Sequence, residues 1–316
     1  MLRILVAMIL GLTCLSVMAQ ESEILVKEIP TTKEIIKVAT VQVPLEFDAE
    51  KMDAADLVTP WIERAGQDGV DLVVFPEYIL GIFDLPGELT LKVGNAARAA
   101  KVNVVVGGWE KLPGYEPVWP PKPKTYANTA LIFNRDGEIV GKYRKLYAAC
   151  GDSPYCWPPK PDELGEWAMV WGEEMPVFDL DFGRIGVLTC YDGYFSPVWE
   201  TLSLKGAEVI VWINGRPGIE DYIVNSMSFM QCVAVVTCNN AKGQGAMICD
   251  YPARILALAD KPGETYLTAP LNLLELRKQR RNNRMFHQRR PELYKEMLQE
   301  QKPWEAYPYI PAHKYE

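Results

Sequence analysis

Apolar positions along this chain alternate between two spacings. Glu34 to Val43 and Asp71-Leu-Val-Val-Phe75 are short runs rich in β-branched residues and read as strands, the second buried on both faces. Between them, Asp48 to Gln67 spaces Met52, Ala55, Leu57, Trp61 and Ala65 along one face of an amphipathic helix. Gly87 to Lys101 reads as a second helix, and Val102 to Val106 as a strand stopped by Gly107-Gly108. Leu112 to Lys124 is proline-rich and reads as a surface loop. Asn128 to Phe133 and Glu138 to Tyr143 flank Asn134-Arg-Asp-Gly137, which predicts a hairpin. Leu146 to Gly165 is a second loop of prolines and aromatics.

The second half repeats the alternation. Ile185, Val187, Leu188 and Thr189 form a buried strand that ends at Cys190. A helix follows, with Ser196 as its cap, Pro197 in its first turn, Glu200 near its positive end and Gly206 closing it. Glu208 to Ile213, Cys232 to Asn239, Ala246 to Asp250, Arg254 to Ala259 and Tyr266 to Leu271 read as strands, and Asp221 to Met230 as a helix. Leu273 to Arg290 is basic, Pro291 to Gln301 reads as helical, and Pro303 to Glu316 as an irregular tail. Strands alternating with helices, with hairpins inserted, predict an α/β layered domain with a mixed sheet.

Met1 to Ala19 departs from this pattern. Arg3, the apolar Ile4 to Val17 and the small-residue end Val17-Met18-Ala19 read as a signal peptide cleaved before Gln20, followed by a leader over 20–36. The expected location is secreted or periplasmic, with no membrane contact after cleavage. A net charge of -8 over 316 residues argues against a nucleic-acid partner. Six cysteines remain after cleavage, in a compartment that permits disulfides. Cys150 and Cys156 bracket a short loop, which leaves a bridge open. Cys232 and Cys238 read as lying on one strand, too far apart along it to pair, and with Cys249 as small core residues. No CxxC pair or histidine cluster marks a metal site.

Three residues with useful chemistry sit where apolar runs break: Glu77, Lys145 and Cys190. A cysteine at a strand's end, before a helix start, lies where open α/β sheets place ligands, and positive charge there favours a thiolate. The alternative is a buried structural thiol. The only histidines are His287 and His313, both near the C-terminus. A nucleophilic Cys190 therefore calls for a carboxylate base. A carboxylate beside apolar walls has its pKa raised towards neutrality, which suits it to take a thiol proton. A fixed lysine would stabilise the oxyanion formed by thiolate attack.

Phe75-Pro-Glu77, Lys142-Tyr-Arg-Lys145 and Gly186-Val-Leu-Thr-Cys190-Tyr-Asp192, in that order, resemble the nitrilase superfamily of carbon–nitrogen hydrolases. Asn128-Thr129, Lys205-Gly-Ala-Glu-Val209 and Arg289-Arg-Pro-Glu-Leu-Tyr294 extend the likeness. It implies a domain over 37–294 with a tail over 295–316, and a four-layer αββα sandwich of two mixed β-sheets with outer helices. It also implies homodimers or larger homo-oligomers and no cofactor. Carried over, Glu77 is the general base, Lys145 steadies the tetrahedral intermediate, and Cys190 forms a thioester beside the backbone N–H of Tyr191. A second, substrate-positioning glutamate is Glu166 or Glu163, with Glu166 preferred because the aromatic run Trp167 to Trp171 links it to Gly172-Glu-Glu-Met-Pro-Val-Phe178. Cys190-Tyr-Asp192 resembles the amidase branches, whereas nitrilases typically carry Trp-Glu after the cysteine. The chain departs from the family at Met227-Ser228, Met230-Gln231 and Gly245-Ala246, which bear on pocket walls and assembly. The implied substrate is a small amide, with Trp109, Trp119, Tyr155 and Trp157 as candidate walls. A nitrilase, an N-carbamoyl amide hydrolase, and a non-catalytic binding or assembly protein on the same fold are the alternatives.

Overall fold

The computed structural model describes residues 28–30, 32–43, 54–117, 122–149, 166–215, 218–240, 244–301 and 303–306. The signal peptide, the Cys150–Cys156 bridge, Glu163, Trp119, Tyr155 and Trp157 lie outside these residues. The first half of the chain runs β1 (Ile35–Gln42), α1 (Ala54–Gln67), β2 (Leu72–Val74), β3 (Ile82–Phe83), α2 (Glu88–Ala100), β4 (Asn103–Lys111), β5 (Tyr126–Phe133) and β6 (Ile139–Arg144). Then come β7 (Val177–Leu180), β8 (Gly183–Thr189), α3 (Ser196–Leu204), β9 (Val209–Ile213), α4 (Asp221–Gln231), β10 (Ala234–Cys238), β11 (Met247–Asp250), β12 (Arg254–Leu258), β13 (Thr265–Asn272), α5 (Leu273–Asn282) and α6 (Arg284–His287).

Among the described residues the strands form two mixed sheets. One has the order β13-β1-β2-β4-β5-β6, with β3 beside β4, and the other β12-β11-β10-β9-β8-β7. Strands joined through a crossover helix pair in parallel, as β1 does with β2, β2 with β4 and β8 with β9. The hairpin β5–β6 is antiparallel, with Gly137 at φ 75° in its turn.

The two-residue period of the strands sorts side chains into layers. Val38, Leu72, Val74 and Val105 face Val187, Val211 and Val236 across a core shared by the two sheets. Their chain neighbours Ala39, Val73, Phe75 and Val104 face the other way, onto Val58, Ile62, Val93 and Ala97 of α1 and α2. Leu188, Ile210, Trp212 and Val235 likewise meet Val198, Trp199, Leu202 and Val224 of α3 and α4. The result is the αββα sandwich. Each fully buried aliphatic side chain of this kind contributes about 1.5–3 kcal/mol through its removal from water.

Three local readings are corrected. The strand expected to stop at Gly107-Gly108 continues as β4 to Lys111. Gly107 permits close packing: a Cβ there would lie 2.8 Å from Ile213 Cδ1 and 3.1 Å from the Glu77 Cα. Ser196 does not cap α3; Phe195 holds the cap position without a side-chain bond, because a 3-10 turn over Cys190–Tyr194 comes first. Cys232 is not on a strand. It is the left-handed C-cap of α4, at φ 49°, and β10 starts at Ala234.

Candidate active site

The strand ends converge. β2 stops shortly before Glu77, β6 immediately before Lys145, and β8 of the second sheet immediately before Cys190. Glu77 and Lys145 are almost fully buried, at 1% and 4% exposure. The Lys145 ammonium lies 3.1 Å from Glu77 Oε1 and 2.5 Å from Glu166 Oε1. Asn128 Nδ2 donates to Glu77 Oε1 at 2.7 Å, and the N–H of Ala149 to Glu166 Oε2 at 2.5 Å. The backbone of Lys145 is held on both sides, its N–H donating to Asn128 O at 2.9 Å and its carbonyl accepting from Gly172 N–H at 2.8 Å. Glu166, in a short 3-10 turn over Glu166–Ala168, joins the cluster.

Electrostatics follow from this crowding. Burial opposes the Lys145 charge, but Glu77, Cys190 and Glu166 outweigh it and raise the ammonium pKa above its ordinary value. Lys145 thus stays cationic across the working pH range. Tyr78 is pushed well above the usual phenol range by burial and by Glu77, Glu166 and Cys190. Its hydroxyl donates to Glu166 Oε1. Cys190, partly exposed and outside any disulfide, interacts electrostatically with both Lys145 and Tyr78. By contrast, burial pushes the thiols of Cys238 and Cys249 up to about 12 and about 11, so they are inert core groups.

Two of the residues at this site carry backbone strain. Tyr78 and Cys190 both adopt left-handed conformations, at φ 68° and 48°. Such angles are disfavoured for side-chain-bearing residues and persist where the surroundings enforce them. At Cys190, Trp212 Nε1 donates to the Cys190 carbonyl at 2.8 Å. Gly193 makes room for that indole, since a Cβ there would lie 2.3 Å from Trp212 Cε2. Tyr191 follows on the same turn, its ring edge-on to Phe195 at 5.3 Å. Trp109, expected as a pocket wall, packs edge-on to Tyr78 at 5.5 Å and stacks on Tyr126, so it buttresses Tyr78.

Sequence reasoning missed three participants. Asn128, which stands out in the sequence only within a family-like pair, donates through Nδ2 to both glutamates, at 2.7 Å to Glu77 and 3.4 Å to Glu166. Tyr78 adjoins Glu77 but shows no periodic signal of its own. Asp192, two residues after Cys190, is fully buried and accepts from Tyr143 Oη at 2.6 Å and from Tyr147 N–H at 2.9 Å. An acid inside an otherwise apolar run was the available signal. Among the described residues, no group of three His, Cys, Asp or Glu is arranged to hold a metal ion, and no helix is long and apolar enough to cross a membrane.

A thiol, an ammonium and a carboxylate lie beyond the ends of β8, β6 and β2 of an αββα sandwich, with a second carboxylate, Glu166, against the ammonium. The carbon-nitrogen hydrolase family model matches residues 37–281, so the chain belongs to that family. It is 24% identical over 295 residues to a citrullinase of Francisella tularensis, covering 83% of this chain and 98% of that protein. It is 30% identical over 197 residues to a formamidase of Helicobacter acinonychis, covering 56% of this chain and about half, 53%, of the formamidase. The solved structure of Saccharomyces cerevisiae Nit3, a member of branch 10 of the nitrilase superfamily, matches with a TM-score of 0.67 at 22% identity, over 82% of this chain and 99% of that one. That likeness establishes the fold.

Proposed function

We propose that this carbon–nitrogen hydrolase converts a small amide to a carboxylic acid plus ammonia or an amine through a thioester on Cys190. The supporting observation is the Lys145 ammonium, buried within 3.1 Å of Glu77 and 2.5 Å of Glu166 and coupled electrostatically to the Cys190 thiol. Glu77 accepts the thiol proton, and the sulfur forms a bond to the amide carbon while the carbonyl π electrons move onto oxygen. Lys145 and the backbone N–H of Tyr191 stabilise that oxyanion. The oxygen lone pair re-forms the carbonyl, the carbon–nitrogen bond breaks, and Glu77 returns its proton to the leaving nitrogen. Water then gives a proton to Glu77 and adds to the thioester carbon; the carbonyl re-forms as the carbon–sulfur bond breaks, the acid leaves, and Glu77 returns the proton to the Cys190 sulfur. Glu166, fixed by Tyr78, Lys145 and Ala149, orients the amide NH2 group.

One relative, matched over 98% of its own length, is named a citrullinase. This favours a second reading in which the amide is a terminal carbamoyl group, attacked by the same residues. Released ammonia measured across short aliphatic amides, carbamoyl amines, aryl amides and nitriles separates the readings. Amide turnover with a trapped acyl adduct on Cys190 is the expected result. Unchanged turnover in Cys190→Ala overturns the mechanism. We further propose a secreted or periplasmic homo-oligomer after signal-peptide cleavage, checked by sequencing the mature N-terminus and by light scattering.

A further inference from the structure

Asp192 takes no part in the steps above, yet it is completely buried. Tyr143 Oη donates to its Oδ2 at 2.6 Å and Thr189 N–H at 3.3 Å. The N–H groups of Leu146 and Tyr147 donate to its Oδ1 at 3.2 and 2.9 Å. These donors come from two places. Thr189 delivers Cys190 at the end of β8, whereas Tyr143 lies on β6 and Leu146 and Tyr147 continue from Lys145. One carboxylate therefore spans the gap between the thiol's turn and the ammonium's segment, which belong to different sheets.

We propose that Asp192 is a positioning residue whose ionised carboxylate clamps the Cys190 turn to the Lys145 segment, and whose protonation releases that clamp and sets the acid side of the activity profile. The proposal rests on the thiol-hydrolase reading of the site. All four hydrogen bonds named are donated to Asp192, and an ionised carboxylate is an acceptor on both oxygens. Protonation turns one oxygen into a hydroxyl that must point its hydrogen at a neighbouring donor, and it weakens the remaining bonds, since charge-assisted ones are roughly twice as strong.

Burial raises the Asp192 pKa from 3.8 to about 7, against the lowering effect of Tyr143, Lys145 and the N–H groups of Tyr147 and Leu146. The titratable groups that act on it are Tyr143 from β6 and Lys145 and Tyr147 from the segment beyond; Cys190 and Tyr191 precede it on its own turn. Both Tyr143 and Tyr147 are pushed up by burial and by the Asp192 charge, and Lys145 is raised as well, so all three keep their protons where Asp192 titrates. A folded-state pKa of about 7 against 3.8 means that stability is lost as pH rises from 3.8 through about 7, and above that the full cost of the ionised, buried Asp192 is present. The charge is therefore a poor staple, and its use lies in what it orders.

The test follows two readouts over roughly pH 5 to 9, kcat for ammonia release and the rate of Cys190 alkylation by iodoacetamide, in the full chain. Wild type should show an acid limb near pH 7 in both. Tyr143→Phe keeps the ring but removes a bond that favours ionisation, so the limb should move to higher pH. Asp192→Asn should be at least tenfold slower with the limb absent, and Asp192→Glu should restore a limb. A Tyr143→Phe limb identical to wild type, or a wild-type rate and limb in Asp192→Asn, overturns the proposal. Should Asp192→Asn fail to fold, the Tyr143→Phe limb decides alone. Alkylation needs no substrate, so a chain that turns over no amide but keeps the shifting alkylation limb refutes the proposed function and leaves the clamp standing.

Discussion

The two ends of β2 carry the same kind of group in opposite settings. Asp71 lies just before the strand and Glu77 just beyond its other end, and both are buried carboxylates. Asp71 is met by Lys33 and Arg135 and by the N–H of Lys37 at 2.9 Å. Those cations stay partly in water, at 40% and 23% side-chain exposure. Burial raises the Asp71 pKa, but the bonds from Lys33, Lys37 and Arg135 outweigh it and leave it lowered. Arg135 also pairs with the exposed Asp181 at 2.9 Å, so two cations meet two carboxylates at the surface, and the balanced cluster makes a staple. At Glu77 the balance is lost: one buried ammonium serves two carboxylates and also feels a thiol. Such a cluster is costly to desolvate, and a site keeps it where its charged groups have chemical work.

This contrast is breakable. The largest effect is expected from Cys190→Ala, which should lower turnover on the order of 10⁴-fold or more while the melting temperature stays near wild type. Glu77→Gln should follow, with kcat lowered about 10²–10⁴-fold, as for loss of a general base; steady-state kinetics beside circular dichroism check that the loss is chemical. At the other end of the strand, Asp71→Asn should cost about 2 kcal/mol of stability, since it removes bonds between charged groups, and leave kcat unchanged. Denaturant unfolding measures it. The smallest effect is expected from Tyr78→Phe, which frees Glu166 from one neutral donor: roughly a tenfold loss, mostly in KM if Glu166 orients substrate.

Acid sharpens the same contrast. The folded-state pKa of Asp71 is depressed, so its contribution is fully present above the ordinary value of 3.8 and is lost as pH falls through the folded value. Wild-type stability should therefore drop below about pH 4 by more than that of Asp71→Asn, measured as melting temperature against pH. If the two curves fall in parallel, Asp71 is not the staple described.

Much of the site was legible because it lies where patterns break. Glu77, Lys145 and Cys190 each end an apolar run, and local periodicity marks such points without knowledge of the fold. Glu166 was legible only through resemblance, since it stands in an irregular segment. Asn128 and Tyr143 lie inside strands, where their polar ends look like ordinary alternation; nothing nearby says that one reaches Glu77 and the other Asp192. Gly107-Gly108 misled for a related reason. Glycine usually ends a strand, and here it lets the two sheets and Glu77 come close, a demand made by residues far away in the chain.

Local sequence alone determined most of the strands, though not β3 or β7, most of the helices and the strand-end positions of the thiol, the ammonium and the first carboxylate. Those features depend on neighbours two to four residues away, through side-chain alternation and backbone preference. Which strand ends meet, which carboxylates share the ammonium, and how Asp192 ties one sheet's turn to the other's were decided only by packing. They depend on contacts between residues tens of positions apart, chosen by the burial of two apolar faces against each other, and no local pattern encodes that choice.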